Sequence, residues 1–322
     1  MHNLRRAPPG DPFPLSGHIA RLVSFDYLRL FAMLLVTVQH GMTVFGYYEQ
    51  TTWANINLGQ SGVGIFCAIS GYLAFFGGMK PPLPARRWLQ KRLWQIYPAY
   101  WLATIAAFAL AWVAKTKPID SGLFLSQMLG AGYFTHGWEL VNVVSWFISL
   151  ILLCYVIAFF GKWLGAPRIT LAVAAIISTA LLVTHSEVAL SRHVLTFCIA
   201  GLLAQTRPRL PVMLSIIAGL LIAAIFWFSF FYAAFSIGLL ALALAWQIPE
   251  TRLSRLASTY VYEYFLVHGI FLAALARFVP ESKLLSGAIA VILAMISAVV
   301  LQKLAARLVG WVRREGASAR TA

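Results

Sequence analysis

The chain has 322 residues, of which 61% are hydrophobic and only 11% are charged. Soluble domains carry about 25% charged residues, so a water-soluble globular fold is excluded, because such a fold needs charged surface to stay dispersed. The formal net charge of +15 does not indicate nucleic acid, since the Lys and Arg residues lie in short segments between apolar blocks, as the positive-inside rule explains.

Ten apolar blocks dominate the sequence. Their lengths, about 17 to 25 residues, are those of helices that cross a bilayer, and in hydrocarbon every backbone N–H and C=O must be paired within its own segment. A β-barrel would instead show alternating segments of about 10 residues. We therefore predict an all-α polytopic membrane helix bundle with about ten transmembrane helices. The blocks are residues 24–47, 57–79, 94–114, 143–161, 169–184, 190–206, 211–228, 230–247, 259–278 and 284–309.

The orientation of every later helix depends on whether a shorter apolar stretch, residues 121–135, crosses the membrane. If it does not cross and residue 1 is cytoplasmic, 19 of the 25 Lys and Arg residues lie inside, five lie outside and Arg29 lies within the first helix. If it does cross, the division becomes 11 inside and 13 outside. The positive-inside rule favours the first arrangement. We predict that residues 118–142 form a re-entrant or surface-lying segment on the outer side and that both termini are cytoplasmic.

The domain organisation predicted from these blocks is simple. Residues 1–22 form a polar cytoplasmic tail, residues 23–310 form one transmembrane domain, and residues 311–322 form a basic cytoplasmic tail. Attraction to the anionic headgroups of membrane lipids is the expected role of the basic tail.

The first predicted helix contains the strongest candidates for chemistry, because an ionisable residue inside a bilayer is costly. Arg29 and His40 are 11 positions apart, about 20° beyond three full turns, so they share one face about 16 Å apart along the axis. Asp26 precedes Arg29 by three positions and can pair with it. Asp26 and Arg29 also fit an interfacial anchor pair, and His40 also fits a buried imidazole bonded to a backbone carbonyl.

Two later blocks contain weaker candidates. In the second block Ser70 and its neighbouring glycines permit either close helix contact or close passage of a ligand, and the pattern alone does not separate these alternatives. In the ninth block Glu263 and His268 are five positions apart and diverge by about 140° on a helix. Both are intramembrane polar groups and therefore functional candidates by default.

A metal site is not indicated. The remaining membrane-domain histidines, His136, His185 and His193, lack metal-ligand spacing and are interpreted as solvated or interfacial. The cysteines are widely separated within apolar blocks, so neither a disulfide framework nor a metal knuckle is expected. We expect them to be buried as small hydrophobic residues.

Four short sequence motifs follow one another along the chain. Asp26-x-x-Arg29 is followed by ten residues and then His40, the second block contains IFCAISGYL, RLWQIYPAYW opens the third block, and TYVYEYFLVHG ends one residue after His268. With gaps, the match runs from Phe25 to about Phe271. In this order the motifs resemble the membrane-bound acyltransferase-3 family, whose members acylate extracytoplasmic carbohydrates and some small molecules.

The chain departs from that family pattern at two positions. The family's Arg-x-x-Arg before the proline of the third block has Gln95 in place of the second arginine. The family's Trp-Ser-Leu-x-x-Glu is matched by WFISLI, so Ile151 replaces the acidic residue. The first departure concerns binding of the acyl donor, for which neighbouring cations are the expected substitutes.

The resemblance implies an integral membrane acyltransferase that uses acyl-CoA and needs no metal. The donor is cytoplasmic and polyanionic, so its phosphates would dock on the most basic stretch of the chain, Lys80 to Arg92. His40 would be a general base or a transient acyl carrier, with Asp26 and Arg29 orienting the inner end of the site. The donor-binding candidates are Arg86, Arg87, Lys91, Arg92 and Ser70. The further pocket candidates are Glu263 and His268.

The resemblance also implies the location and the second substrate. The acceptor would be a hydroxyl of a surface polysaccharide or a lipid-linked glycan, the acyl group acetyl, and the location the plasma (inner) membrane. A non-enzymatic carrier of an acyl or lipid-linked glycan substrate is the main alternative, and it has no need of a histidine positioned by Arg29. A structural assembly subunit is a third possibility, in which His40 would be freely replaceable.

Overall fold

The computed structural model describes residues 23–47, 52–53, 56–76, 83–115, 119–185, 188–246, 248–278 and 282–318. The helices are α1 (Val23–Val44), α2 (Leu58–Phe75), α3 (Ala85–Val113), α4 (Ser121–Met128), α5 (Gly132–His136), α6 (Trp146–Trp163), α7 (Pro167–Val183), α8 (Val188–Thr206), α9 (Leu210–Phe226), α10 (Phe230–Ala245), α11 (Arg252–Phe278) and α12 (Lys283–Ser318). A short antiparallel pair, β1 (Thr52–Trp53) and β2 (Ile56–Asn57), precedes α2.

Each of the ten predicted blocks contains a helix among the residues that the structure describes. Six helices among the described residues are long and apolar enough to cross a membrane, namely α1, α2, α3, α6, α11 and α12. The chain is therefore a multi-pass helical membrane protein. The number of crossings and the side of each terminus remain predictions, and the tail at residues 1–22 and Lys80 lie outside the described residues.

The third helix begins earlier than predicted. Its apolar block starts at residue 94, but α3 begins at Ala85, so the basic residues from Arg86 to Arg92 lie in helical turns and not in a loop. The apolar window detects only the part of a helix that lies in hydrocarbon. Arg, Lys, Gln and Leu are good helix formers and extend the helix beyond that part.

The segment after α3 contains two helices of eight and five residues, α4 and α5, and each is too short to span a bilayer. Gln127, whose side chain is fully buried, accepts hydrogen bonds from the Asn142 backbone N–H at 3.2 Å and the Ser145 hydroxyl at 3.3 Å. The Tyr100 hydroxyl donates to the Gln127 carbonyl. The segment is thus packed against protein, as a re-entrant or surface-lying segment requires.

The chain divides into two compact units. Unit 1 comprises Met1–Val36, Thr52–Ala85 and Cys154–Ser258. Unit 2 comprises Thr37–Thr51, Arg86–Leu153 and Thr259–Ala322.

Within unit 1, α2 packs closely against its neighbours through glycines. A Cβ on Gly71 would fall on the Phe197 carbonyl of α8, and one on Gly62 would fall on the Ala32 carbonyl of α1. A Cβ on Gly64 would lie 2.5 Å from the Ser236 hydroxyl of α10. Close helix contact therefore explains these glycines, and passage of a ligand is not needed to explain them.

Candidate active site

Unit 2 brings together two histidines. His40 lies in α1 and His268 in α11, and His40 Nδ1 is 2.8 Å from His268 Nε2. The two rings are nearly parallel, with an interplanar angle of 4° and centroids 5.0 Å apart. His268 is buried and His40 is half-buried. This distance is that of a hydrogen bond, so one proton lies between the two rings.

The backbone fixes which ring donates that proton. His268 Nδ1 is 2.8 Å from the Phe265 carbonyl oxygen, and a carbonyl only accepts, so this nitrogen carries a proton. In the neutral His268 ring Nε2 then holds a lone pair and accepts from His40 Nδ1–H. Assignment of the tautomers from this hydrogen-bond chain leaves the lone pair of His40 on Nε2. That atom is the one able to take a proton from a substrate.

Aromatic and hydroxyl side chains hold the pair in place. The Tyr264 ring stacks on His268 with centroids 5.6 Å apart, and the Thr37 hydroxyl donates to the Tyr264 hydroxyl at 3.3 Å. Sequence reasoning missed both supporting residues. Helical spacing could have identified them, because Tyr264 lies four positions before His268 and Thr37 three positions before His40.

The short-helix segment of unit 2 contacts the helix that carries His268. The buried Asn142 side chain donates from Nδ2 to the Leu266 carbonyl at 3.2 Å. Nearby, a Cβ on Gly269 would lie 3.2 Å from the Val144 side chain. The predicted outer segment therefore lies against the part of α11 that presents His268.

The acidic and basic residues near the start of α1 form the expected pair. Arg29 Nη1 donates to Asp26 Oδ1 at 2.7 Å. Asp26 is 2% exposed, whereas Arg29 is 29% exposed. A carboxylate buried to this extent needs a partner, and the prediction of a local pair is confirmed. The pair belongs to unit 1, and α1 continues from it to His40.

The donor-binding candidates, apart from Ser70, lie in the first turns of α3 in unit 2. Arg86, Arg87 and Lys91 are exposed, and Arg92 is half-buried. The Arg92 guanidinium lies 5.7 Å from the centroid of the Trp88 ring and donates to Gln95 Oε1 at 3.3 Å. The glutamine that replaces an arginine of the family pattern thus contacts the arginine that remains.

Ser70 and Glu263 are the two remaining candidates. Among the described residues, neither is hydrogen-bonded to the His40–His268 pair or to the Asp26–Arg29 pair. Ser70 is half-buried in α2 and belongs to unit 1. Glu263 is half-buried in α11 and belongs to unit 2. Of the two α11 candidates, His268 is the one hydrogen-bonded to His40.

The interpretation of His193 as solvated or interfacial is wrong. Its side chain is fully buried, and its Nε2 lies 2.7 Å from the Gln60 Oε1 of α2. The reason is tertiary, because α8 packs against α2 and turns this position inward. His136 is half-buried, with hydroxyl partners, and His185 is exposed. Within the described part of the chain, no group of three or more potential ligands could hold a metal ion, and the three cysteines are free and buried.

Comparison with known proteins gives the family. A family model described as an acyltransferase domain, of the acyltransferase-3 type, matches residues 22–303. No curated protein and no solved structure matches the chain. The matched range contains α1 with Arg29 and His40, the basic turns of α3, and α11 with His268. The chain belongs to the acyltransferase-3 family and is an acyltransferase.

Proposed function

We propose that this protein transfers an acyl group, acetyl in the simplest case, from acyl-CoA to a hydroxyl of a surface polysaccharide or lipid-linked glycan. The observation that carries the proposal is the His40–His268 hydrogen bond. A carrier needs no base, whereas acyl transfer to a hydroxyl does. His40 has a lone pair on Nε2, and its Nδ1–H donates to His268 Nε2.

The chemical step follows from that proton arrangement. His40 Nε2 takes the proton of the acceptor hydroxyl while the hydroxyl oxygen attacks the thioester carbonyl. The tetrahedral intermediate collapses with cleavage of the carbon–sulfur bond, and the thiolate of CoA receives the proton from His40 Nε2. His268 Nε2 accepts the His40 Nδ1–H throughout and stabilises the imidazolium that forms between the two proton transfers. The products are the ester and free CoA.

The first turns of α3 are the proposed site for the donor phosphates. Three exposed cations and the half-buried Arg92 lie within two helical turns, and guanidinium groups bind phosphate with paired hydrogen bonds. The topology predicted from the Lys and Arg distribution puts this end of α3 on the cytoplasmic side. Acyl-CoA is cytoplasmic, and this agreement supports the proposed donor site.

Substitution of the donor cations tests this site. Replacing Arg86, Arg87 and Arg92 together with Ala is expected to raise the Kd of acetyl-CoA by about 10³-fold or more, since each charge-assisted contact is worth about 1.5–3 kcal/mol. The measurement is calorimetric titration of the purified protein with acetyl-CoA. A control variant that removes three other cations, Arg255, Lys303 and Arg307, should bind normally. Unchanged affinity in the first variant would place the phosphates elsewhere.

The topology is testable by thiol labelling. The native cysteines are buried, so a single introduced cysteine reports its own side of the plasma membrane. Cysteine at His185 should react with an impermeant maleimide added to intact cells, whereas cysteine at Ala85 or Thr251 should react only after lysis. External labelling at Thr251 would mean that residues 118–142 cross, and every later helix would change direction.

A further inference from the structure

A cluster of cations lies at one end of unit 1 and is not used by the proposed chemistry. Lys162 in the last turn of α6 places its Nζ 4.8 Å from the centroid of the Phe75 ring. Arg207, just after α8, places its guanidinium 5.7 Å from the centroid of the adjacent Phe76 ring. Arg168, in the first turn of α7, donates from Nη2 to the Gln205 carbonyl at 3.3 Å. Lys162 and Arg207 therefore lie at the C-terminal end of α2, and Arg168 lies at the last turn of α8, which ends next to Arg207 in sequence.

The positions of these cations are only partly explained by their own helices. A cation at a helix C-terminus is stabilised by the helix dipole, which accounts for Lys162 and Arg207. Arg168 is at the N-terminus of α7, where the dipole of its own helix opposes a positive charge, and its side chain reaches the last turn of α8 instead. Residues 154–258 contain seven Lys and Arg residues and two acidic residues, so this stretch carries a net positive charge. The cluster is thus a concentration of positive charge that suits a bound anion.

The surface beside the cluster indicates what kind of anion it is. Large apolar side chains next to the cations in sequence are strongly exposed: Trp163 is 65% exposed, Leu164 62% and Ile169 67%. They belong to the ends of helices, where a membrane helix meets the headgroup layer. A ligand with a phosphate and long apolar chains matches both features, whereas CoA matches only the charge.

We propose that Lys162, Arg168 and Arg207 form a binding site for the phosphate headgroup of an anionic phospholipid, whose acyl chains lie along Trp163, Leu164 and Ile169. The two cations over Phe75 and Phe76 are held by cation–π contacts, which keep them at the level where the headgroup begins. The site is independent of the acyl-transfer proposal, because it uses none of the residues assigned to that reaction.

Native mass spectrometry of the purified, delipidated protein tests the site. The probe is dioleoylphosphatidylglycerol, with dioleoylphosphatidylcholine as the zwitterionic comparison. Replacing Lys162, Arg168 and Arg207 with Gln should weaken binding of the first phosphatidylglycerol on the order of 100-fold, since each cation near the surface contributes about fivefold. Phosphatidylcholine binding should not change. A control variant in which Arg255, Lys303 and Arg307 are substituted should keep wild-type affinity for both lipids.

A second variant guards against a folding defect. The double change Arg168→Lys and Arg207→Lys preserves the charge and should retain most of the phosphatidylglycerol affinity. Equal phosphatidylglycerol affinity in wild type and the triple Gln variant would overturn the proposal. A loss of acetyl-CoA binding in the triple Gln variant, with lipid binding intact, would also overturn it and assign the cations to the donor.

Discussion

Replacing His40 with Ala is expected to reduce acyl transfer by about 10²–10⁴-fold, which is the contribution of a general base, and by more if the imidazole carries the acyl group covalently. The change removes His40 Nε2, which in the proposed mechanism takes the proton of the acceptor hydroxyl. Helix α1 does not need a polar group here to insert, so expression and membrane insertion should be normal. Binding of acetyl-CoA should be nearly unchanged, because the proposed phosphate site is on α3.

The measurement uses purified protein in nanodiscs with radiolabelled acetyl-CoA and an envelope fraction as the acceptor source. His40→Gln is the sharper variant, because glutamine keeps a hydrogen-bonding side chain but cannot take up and release a proton near neutral pH. A structural histidine would tolerate glutamine. An active Gln variant would end the catalytic assignment and make the non-enzymatic carrier the preferred function.

The helices could be predicted from the sequence because each is encoded locally. Apolar runs of membrane-spanning length occur at all ten positions, and the structure has a helix at each. The start of α3 was missed because its first turns are charged, and hydropathy does not register helix outside hydrocarbon. The strands β1 and β2 were missed because two-residue strands leave no periodic pattern. The division into two units depends on which helices pack together, and no local signal records that.

In the candidate site, too, contacts within one helix could be predicted and contacts between helices could not. The Asp26–Arg29 pair was predictable because its members are three positions apart on one helix. The His40–His268 pair was not, because its members are separated by 228 residues, and helical spacing says nothing about a partner on another helix. The burial of His193 was missed for the same reason, since its partner Gln60 is 133 residues away.

These long-range contacts change the role given to His268. As an isolated intramembrane histidine it was one weak pocket candidate among several. In the proposed mechanism its hydrogen bonds to His40 and to the Phe265 carbonyl give it the role of a positioning residue, because they leave the lone pair of His40 on Nε2. Its own Nδ1 is occupied by the backbone, so it acts through His40.

Replacing His268 with Ala is therefore expected to lower kcat by about 10²–10⁴-fold while the KM for acetyl-CoA stays within about twofold. Without an acceptor on Nδ1–H, His40 is free to adopt the other tautomer, and a wrong tautomer in the triad of a serine protease costs about 10⁴-fold in kcat. His268→Gln should recover part of the rate, because the glutamine Oε1 can accept the His40 Nδ1–H. The same substitution cannot do so at His40, where a proton must be exchanged.

The order wild type, His268→Gln, His268→Ala is thus the expected ranking of kcat, with acetyl-CoA binding equal in all three. Tyr264→Phe is the matched control, since it keeps the ring that stacks on His268 and removes only the hydroxyl that receives the Thr37 hydrogen bond. It should cost less than His268→Ala. Steady-state kinetics in nanodiscs measures all four proteins, and nitrogen-15 spectra of His40 report its tautomer directly. If His268→Gln were no more active than His268→Ala, and the His40 tautomer were the same in both, the hydrogen bond between the two rings would be structural and His40 would select its tautomer without His268.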